Sequence, residues 1–310
     1  MKKLLMWLAV LWTFSVITAC SGAATDSGAQ TDEGKKIKVT STTSQVGDIV
    51  NHVGGEYVEA DSLMGPGTDP HLYQATQQDI GKLSEADLIF YNGLHLEGKM
   101  GEILEKMQDQ KPVRAVSDAV PEEKLIKEGK DAYDPHIWFD AGLWQYAVDE
   151  VVEGLSEVDP EHADQYAANG DSYKNELAEV DEWAKEMLAD IPEQSRVLVT
   201  AHDAFHYFGN AYDIEVKGLQ GLSTDSEYGI KDVQNIVNLL VEREIKAVFV
   251  ESSISERSIN AVVEGAKEKG HDVVIGGELY SDAMGEEGTE EGTYIGMFKH
   301  NIRTIQQSLK

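Results

Sequence analysis

The tripeptide Asp-Pro-His occurs twice in this chain, as Asp69-Pro70-His71 and as Asp134-Pro135-His136. A third histidine, His202, follows the apolar-led run Val197-Leu198-Val199-Thr200-Ala201, and Asp282 lies in Leu279-Tyr280-Ser281-Asp282-Ala283. Three imidazoles and a carboxylate make a coordination sphere suited to a divalent transition metal. The four are spread over most of the chain, so only a folded protein could gather them. That predicts a metal held between lobes and excludes a finger or a hairpin clip.

The tripeptide suits a ligand. Proline fixes its own φ, biases the preceding aspartate toward extended geometry and supplies no amide hydrogen. The histidine then sits on a stiff loop with little freedom left to lose, and a ligating ring also needs its second nitrogen engaged. Gly65-Pro66-Gly67 marks a tight loop before Asp69. After His136, Ile137-Trp138-Phe139 would shield a site from water. His202 and Asp282 each follow a candidate strand, where open α/β sheets place their ligands. Each residue has a plainer role: a lone histidine after a strand caps or fills a core, and Asp282 could cap the next turn. Repetition of the tripeptide argues against chance without naming a metal.

Other features are set aside. His202 and His206 are four apart but lack the glutamate of His-Glu-x-x-His, and their rings align only if that turn is helical. Glu251 ends an apolar run and is expected to accept loop backbone hydrogen bonds. His52, His95, His162, His271 and His300 share no spacing. Gly285 to Gly292 lacks the alternating acids of a calcium loop, and neither a phosphate loop nor a nucleophile elbow is present.

Short β-branched runs alternate with helical stretches. Strands are expected at 37–40, 58–63, 87–91 and 113–116, then at 196–200, 214–217, 246–250 and 272–275, with helices at 232–244 and 258–269, the latter ended by Gly270. Asp159-Pro160-Glu161 reads as a helix start, and Tyr173, Leu177, Val180, Ala184 and Met187 mark one stripe of a long helix closed by Pro192. The fold class is therefore α/β, with two lobes, each a mainly parallel four-stranded sheet flanked by helices, joined by one long backbone helix. The expected segments are a signal peptide at 1–19, a tether at 20–36, a lobe at 37–158, the linking helix at 159–192 and a lobe at 193–310.

Lys2-Lys3, an apolar stretch from Leu4 to Ile17 and then Thr18-Ala19-Cys20 read as a secretory signal ending in a lipobox, with Cys20 as the lipidated residue. Cys20 is the only cysteine, which excludes an intramolecular disulfide. Residues 21–36 hold no apolar side chain larger than alanine and read as a flexible tether. The net charge is −30. Loss of Met1 to Ala19 removes two lysines and leaves 24 basic against 56 acidic residues, or −32. Such a surface repels nucleic acid and anionic headgroups, which excludes both as ligands.

Taken together, Gly65-Pro66-Gly67-Thr68-Asp69-Pro70-His71, Gly93-Leu94-His95-Leu96-Glu97, Asp134-Pro135-His136-Ile137-Trp138, Thr200-Ala201-His202-Asp203-Ala204-Phe205, Phe249-Val250-Glu251-Ser252-Ser253 and Tyr280-Ser281-Asp282-Ala283 resemble the lipid-anchored metal receptors of bacterial manganese and zinc ABC importers, from about Ile37 to the C-terminus. The resemblance implies one metal in an interlobe cleft, with His71, His136, His202 and Asp282 as ligands, and an ABC permease with its ATPase as partner. Some members carry a glutamate where this chain has His202. Zinc-type relatives insert a histidine- and acid-rich loop in the first lobe, whereas Gly93 to Tyr133 contains only His95. Leu222 to Ser226 and the C-terminal half look most like the manganese-binding lipoproteins of Gram-positive bacteria. Mn(II) is thus the expected cargo and Zn(II) the alternative, since three imidazoles favour zinc at equal geometry. The expected state is a monomer tethered to the outer face of the cell membrane, and not an enzyme. A metallohydrolase would need a base, for which Glu251 is the one candidate, and a surface adhesin leaves the four candidate ligands unexplained.

Overall fold

The computed structural model describes residues 36–130 and 132–310. The expected signal, Cys20 and the tether up to residue 35 lie outside the described residues. In the first half, strands β1 (Ile37–Ser41), β2 (Val58–Ser62), β3 (Leu88–Tyr91) and β4 (Val113–Ala115) form one parallel sheet in the order β2-β1-β3-β4. Helices α1 (Ser44–Gly54), α2 (Gln77–Glu85) and α3 (Gly101–Gln108) make the connections. Thr43 caps α1 by accepting from the Val46 amide, and Val46, Ile49, Val50 and Val53 give it one buried face. Parallel strands require such crossovers, and the C-terminal strand ends then gather at one edge. A short antiparallel pair, β5 (Lys127–Glu128) and β6 (Ala132–Tyr133), leads to α4 (Ala141–Val158).

The second half runs β7 (Val197–His202), α6 (His206–Tyr212), β8 (Glu215–Gln220), α7 (Ile230–Glu242), β9 (Ala247–Glu251), α8 (Arg257–Glu268), β10 (Val274–Leu279) and α9 (Tyr294–Leu309), the helix α5 (Ala163–Ala189) having come before it. The α/β class with parallel strands under helices holds here too, but the pairing differs from a single four-stranded sheet. Strands β7 and β8 form one parallel ladder and β9 and β10 another, with β7 beside β9. The amide of His202, which a continuous ladder would bond to the β9 backbone, goes instead to the Glu251 carboxylate. Gly270, at φ 78°, ends the segment after α8, as the left-handed position there requires.

Helix α5 has 27 residues, a rise of about 40 Å. It starts at Ala163 and not at the Asp159-Pro160 signal, because the Asp159 amide still closes the end of α4 on Leu155. The Asp159 carboxylate then takes the Tyr166 hydroxyl at 2.7 Å. Tyr166, Tyr173, Leu177, Val180, Ala184 and Leu188 form the buried face, and Met187 lies half-buried at its side. This face packs on α1 and α4 from the first half and on α6 and α9 from the second. Tyr173 donates to Asp48 of α1 at 2.5 Å, and Tyr294 of α9 donates to the carbonyl of Trp138 at 2.7 Å. One hydrophobic core, including Trp138, Trp144, Phe205, Tyr294 and Phe298, therefore runs under both lobes. Each such buried aromatic contributes about 1.5–3 kcal/mol by its apolar area, so wide hinge motion would break dense packing.

Candidate metal centre

The four sequence-predicted residues meet at the strand ends. His71 lies in the loop after β2, His136 in the loop after β6, His202 ends β7, and Asp282 follows β10. All are buried, at 5, 0, 0 and 2 % exposure respectively. One donor atom from each lies within 4.8 Å of all the others. The Nε2 atoms of His71 and His136 are 3.3 Å apart. Asp282 Oδ1 lies 3.6 Å from His136 Nε2, and its Oδ2 lies 3.4 Å from His202 Nε2 and 3.9 Å from His71 Nε2. Among the described residues, neither Asp282 oxygen nor His202 Nε2 has a hydrogen-bond partner. Buried polar atoms that converge without hydrogen-bond partners carry a desolvation penalty, and a small cation between them, taking the place of any proton there, removes it.

The outer nitrogens of two rings are engaged by carboxylates. Asp134 Oδ1 accepts from both the backbone amide (2.9 Å) and Nδ1 (2.8 Å) of His136. Glu251 does the same for His202 with two oxygens, Oε1 to the amide at 2.9 Å and Oε2 to Nδ1 at 2.6 Å. Each arrangement sends the proton to Nδ1 and leaves Nε2 to face the cluster. In the first tripeptide Asp69 Oδ1 accepts from the His71 amide at 2.9 Å, the same two-residue turn as at Asp134. Trp138 packs edge-on to His136 at 5.2 Å and donates to the carbonyl of Ser281, which fixes the residue before Asp282.

The electrostatics follow from burial and from these contacts. Burial opposes the charge on His71 more strongly than Asp282 favours it, and its pKa falls to about 4. Burial also opposes charge on His202, but Glu251 and then Asp282 outweigh it and raise this imidazole well above its usual range. Burial pushes Asp282 up, yet His202 foremost, with His71 and His136, holds it far below the usual carboxylate range. For Asp134, His136 and His206 overcome burial and hold the carboxyl at about 2. The centre thus presents an ionised carboxylate to three rings.

A family model described as "Zinc-uptake complex component A periplasmic", ZnuA, matches residues 39–308. The chain belongs to the ZnuA family. This ZnuA-family chain is 56 % identical to the manganese-binding lipoprotein MntA of Bacillus subtilis over 311 residues, covering all of both chains. It is 30 % identical to the manganese ABC transporter substrate-binding lipoprotein PsaA of Streptococcus pneumoniae over 319 residues, covering 100 % of this chain and 99 % of that one. The solved structure of the periplasmic zinc-binding protein TroA from Treponema pallidum superposes with a TM-score of 0.87 at 44 % identity, covering 88 % of this chain and 99 % of that chain.

Residues outside the cluster also find their places in this ZnuA-family fold. Glu251 accepts a backbone amide as its sequence position suggests, and in addition it holds the His202 ring, which needs the β7–β9 neighbourhood to be seen. His206 is not in the cluster; its Nδ1 lies 3.1 Å from Asp134 Oδ2. His162, His271 and His300 bond to Asp159, the Ile245 carbonyl and the Glu278 carbonyl, away from the centre. Sequence reasoning missed Glu97 and Asn92. Buried Glu97 accepts from Thr42 Oγ1 at 2.6 Å and from the Asn92 amide at 2.7 Å, while Asn92 Nδ2 donates to the Pro135 carbonyl at 2.9 Å. This chain of bonds ties the ends of β1 and β3 to the second tripeptide. Gly218 was also missed: a Cβ there would strike the backbone of His202 and Asp203. None of the three carries a spacing signal, since all act through contacts between separate segments.

Proposed function

We propose that this protein is an extracytoplasmic receptor that captures Mn(II) with His71, His136, His202 and Asp282 in a cleft between two lobes and delivers it to an ABC permease and its ATPase. The observation that carries the reading is the buried meeting of three Nε2 atoms with the unpartnered Asp282 carboxylate. Full-length identity of 56 % to a manganese-binding lipoprotein supports manganese as the cargo. In this reading residues 37–158 and 193–310 are the lobes and 159–192 the link between them. The protein is a monomer, held at the outer face of the membrane through lipid on Cys20, and its acidic surface binds no nucleic acid.

Four protein ligands fit a carrier, whereas a catalytic metal keeps a position open for water. The carboxylates behind the ligands, Glu251, Asp134 and Asp69, each have both oxygens engaged by hydrogen bonds, which argues against the free base that hydrolysis needs. Zn(II) is the second reading. Three imidazoles bind zinc more tightly than manganese at equal geometry, and the zinc-binding TroA is 44 % identical over 277 residues.

Elemental analysis of untagged protein purified without chelator, followed by Mn(II)/Zn(II) competition, tests both. Near-stoichiometric manganese supports the first reading and zinc the second. Protein that takes up neither metal would remove the receptor function.

A further inference from the structure

We propose that Thr224 is a positioning residue for the metal centre: it latches the His71 loop to the second lobe and so sets how fast the cation leaves. The proposal deepens the receptor reading above and rests on it. Asp69 divides its carboxylate between two halves of the chain. Oδ1 accepts from the His71 amide at 2.9 Å, and Oδ2 accepts from the Thr224 hydroxyl at 2.5 Å, across 155 positions of sequence. Thr224 belongs to the strap of residues 221–229 between β8 and α7, and it is the only buried residue of that strap.

The strap is rooted at another ligand. Gln220, the last residue of β8, pairs in the ladder with His202, and its carbonyl accepts from the Asp203 amide at 3.1 Å. The Gln220 side chain turns back and donates to the carbonyls of Thr224 at 2.6 Å and Ser226 at 2.5 Å. One short segment therefore runs from the backbone beside His202 to the carboxylate that holds His71. The next residue, Asp225, meets Lys99 of the first half at 3.1 Å, with both side chains exposed. An exposed pair of this kind guides the approach and adds little strength, which leaves the Thr224–Asp69 bond as the main tie.

The second tripeptide is held differently. Its Asp134 Oδ2 is engaged by His206 at the start of α6, and that helix is packed into the shared aromatic core through Tyr207, Phe208 and Tyr212. Opening the centre on that side would disrupt the core. On the His71 side it requires only that the strap lift, and Leu72 beside His71 is already 45 % exposed. The geometry thus makes His71 the ligand that lets go first.

The test is release of pre-bound Mn(II) or Zn(II) from the full-length protein into excess chelating dye, followed by stopped flow. Thr224→Val keeps the shape and removes the donor to a charged acceptor, so release should be about tenfold faster or more, with the association rate unchanged. Thr224→Ser restores the hydroxyl and should restore slow release. In an Asp69→Ala background Thr224→Val should add nothing, because the two residues act through one contact. Release from Thr224→Val at the wild-type rate, or full additivity with Asp69→Ala, would overturn the latch. A wild-type protein that loads neither metal would instead overturn the receptor reading, a result distinguishable at the loading step.

Discussion

Glu251 grips His202 at two points, the backbone amide and the ring Nδ1, while the ring's Nε2 stays unpartnered in the cluster. One carboxylate thereby sets the position, the plane and the tautomer of a ligand it stands behind. Asp134 repeats the arrangement on His136 with a single oxygen. The two rings come from different halves of the chain, so the centre is stiffened from both sides.

Glu251→Gln follows directly from this relationship. The amide keeps the shape but replaces one of the two accepting oxygens with an NH2 donor, which then faces an N–H of His202 where Oε1 or Oε2 now accepts. Metal affinity should fall by about 10–100-fold, read by competition against a chelating dye. An unchanged dissociation constant would show that the ring needs no orienting partner.

His71→Ala and His202→Ala each remove one converging nitrogen. Both should weaken binding by at least the roughly 10–100-fold that loss of a supporting group brings, while circular dichroism retains the α/β signature. Wild-type affinity in either variant would take that residue out of the coordination sphere.

Affinity should fall with acid. Glu251 and Asp282 raise the His202 pKa above its ordinary 6.5, so near neutral pH a cation reaching Nε2 displaces a proton. Titration in weak buffer should detect proton release on metal addition, with apparent affinity changing about tenfold per pH unit below the raised pKa. Binding independent of pH between about 5 and 8 would point to a site built of carboxylates alone.

Stability of the metal-stripped protein also falls with acid, here through His71. Its folded pKa of about 4 lies below the ordinary 6.5, so the unfolded chain binds the proton more readily. The stability from keeping this ring neutral is fully present above pH 6.5 and is lost as pH falls through about 4. That interval corresponds to about 3 kcal/mol. Denaturant unfolding of wild type and His71→Asn at pH 7 and pH 4 should show the smaller acid loss in the variant. Equal losses would mean that His71 is free to protonate in the fold.

Cys20→Ser tests the anchor. The variant should move from the membrane fraction to the medium with metal affinity unchanged, because residue 20 is not among the four candidate ligands, the first of which is His71. Retention on the membrane would count against lipid attachment at this residue.

Much of the molecule was legible from local pattern alone. Each of the eight main strands overlaps an expected one, although β8 and β10 run on to Gln220 and Leu279, past the expected ends at 217 and 275. The overlap is cleanest in the buried runs of β3, β7 and β9, since burial on a parallel sheet selects for apolar residues. The long helix showed its stripe for the same reason, although its start moved to Ala163 because Asp159 was already closing α4. The doubled Asp-Pro-His was visible because a two-residue aspartate turn is encoded within three positions. The second half's split ladders, the grip of Glu251 on His202, the Glu97–Asn92–Pro135 chain and the Thr224–Asp69 bond were decided only in three dimensions. Each of these joins segments far apart in sequence, and a hydrogen bond across such a distance leaves no periodicity in the chain that makes it.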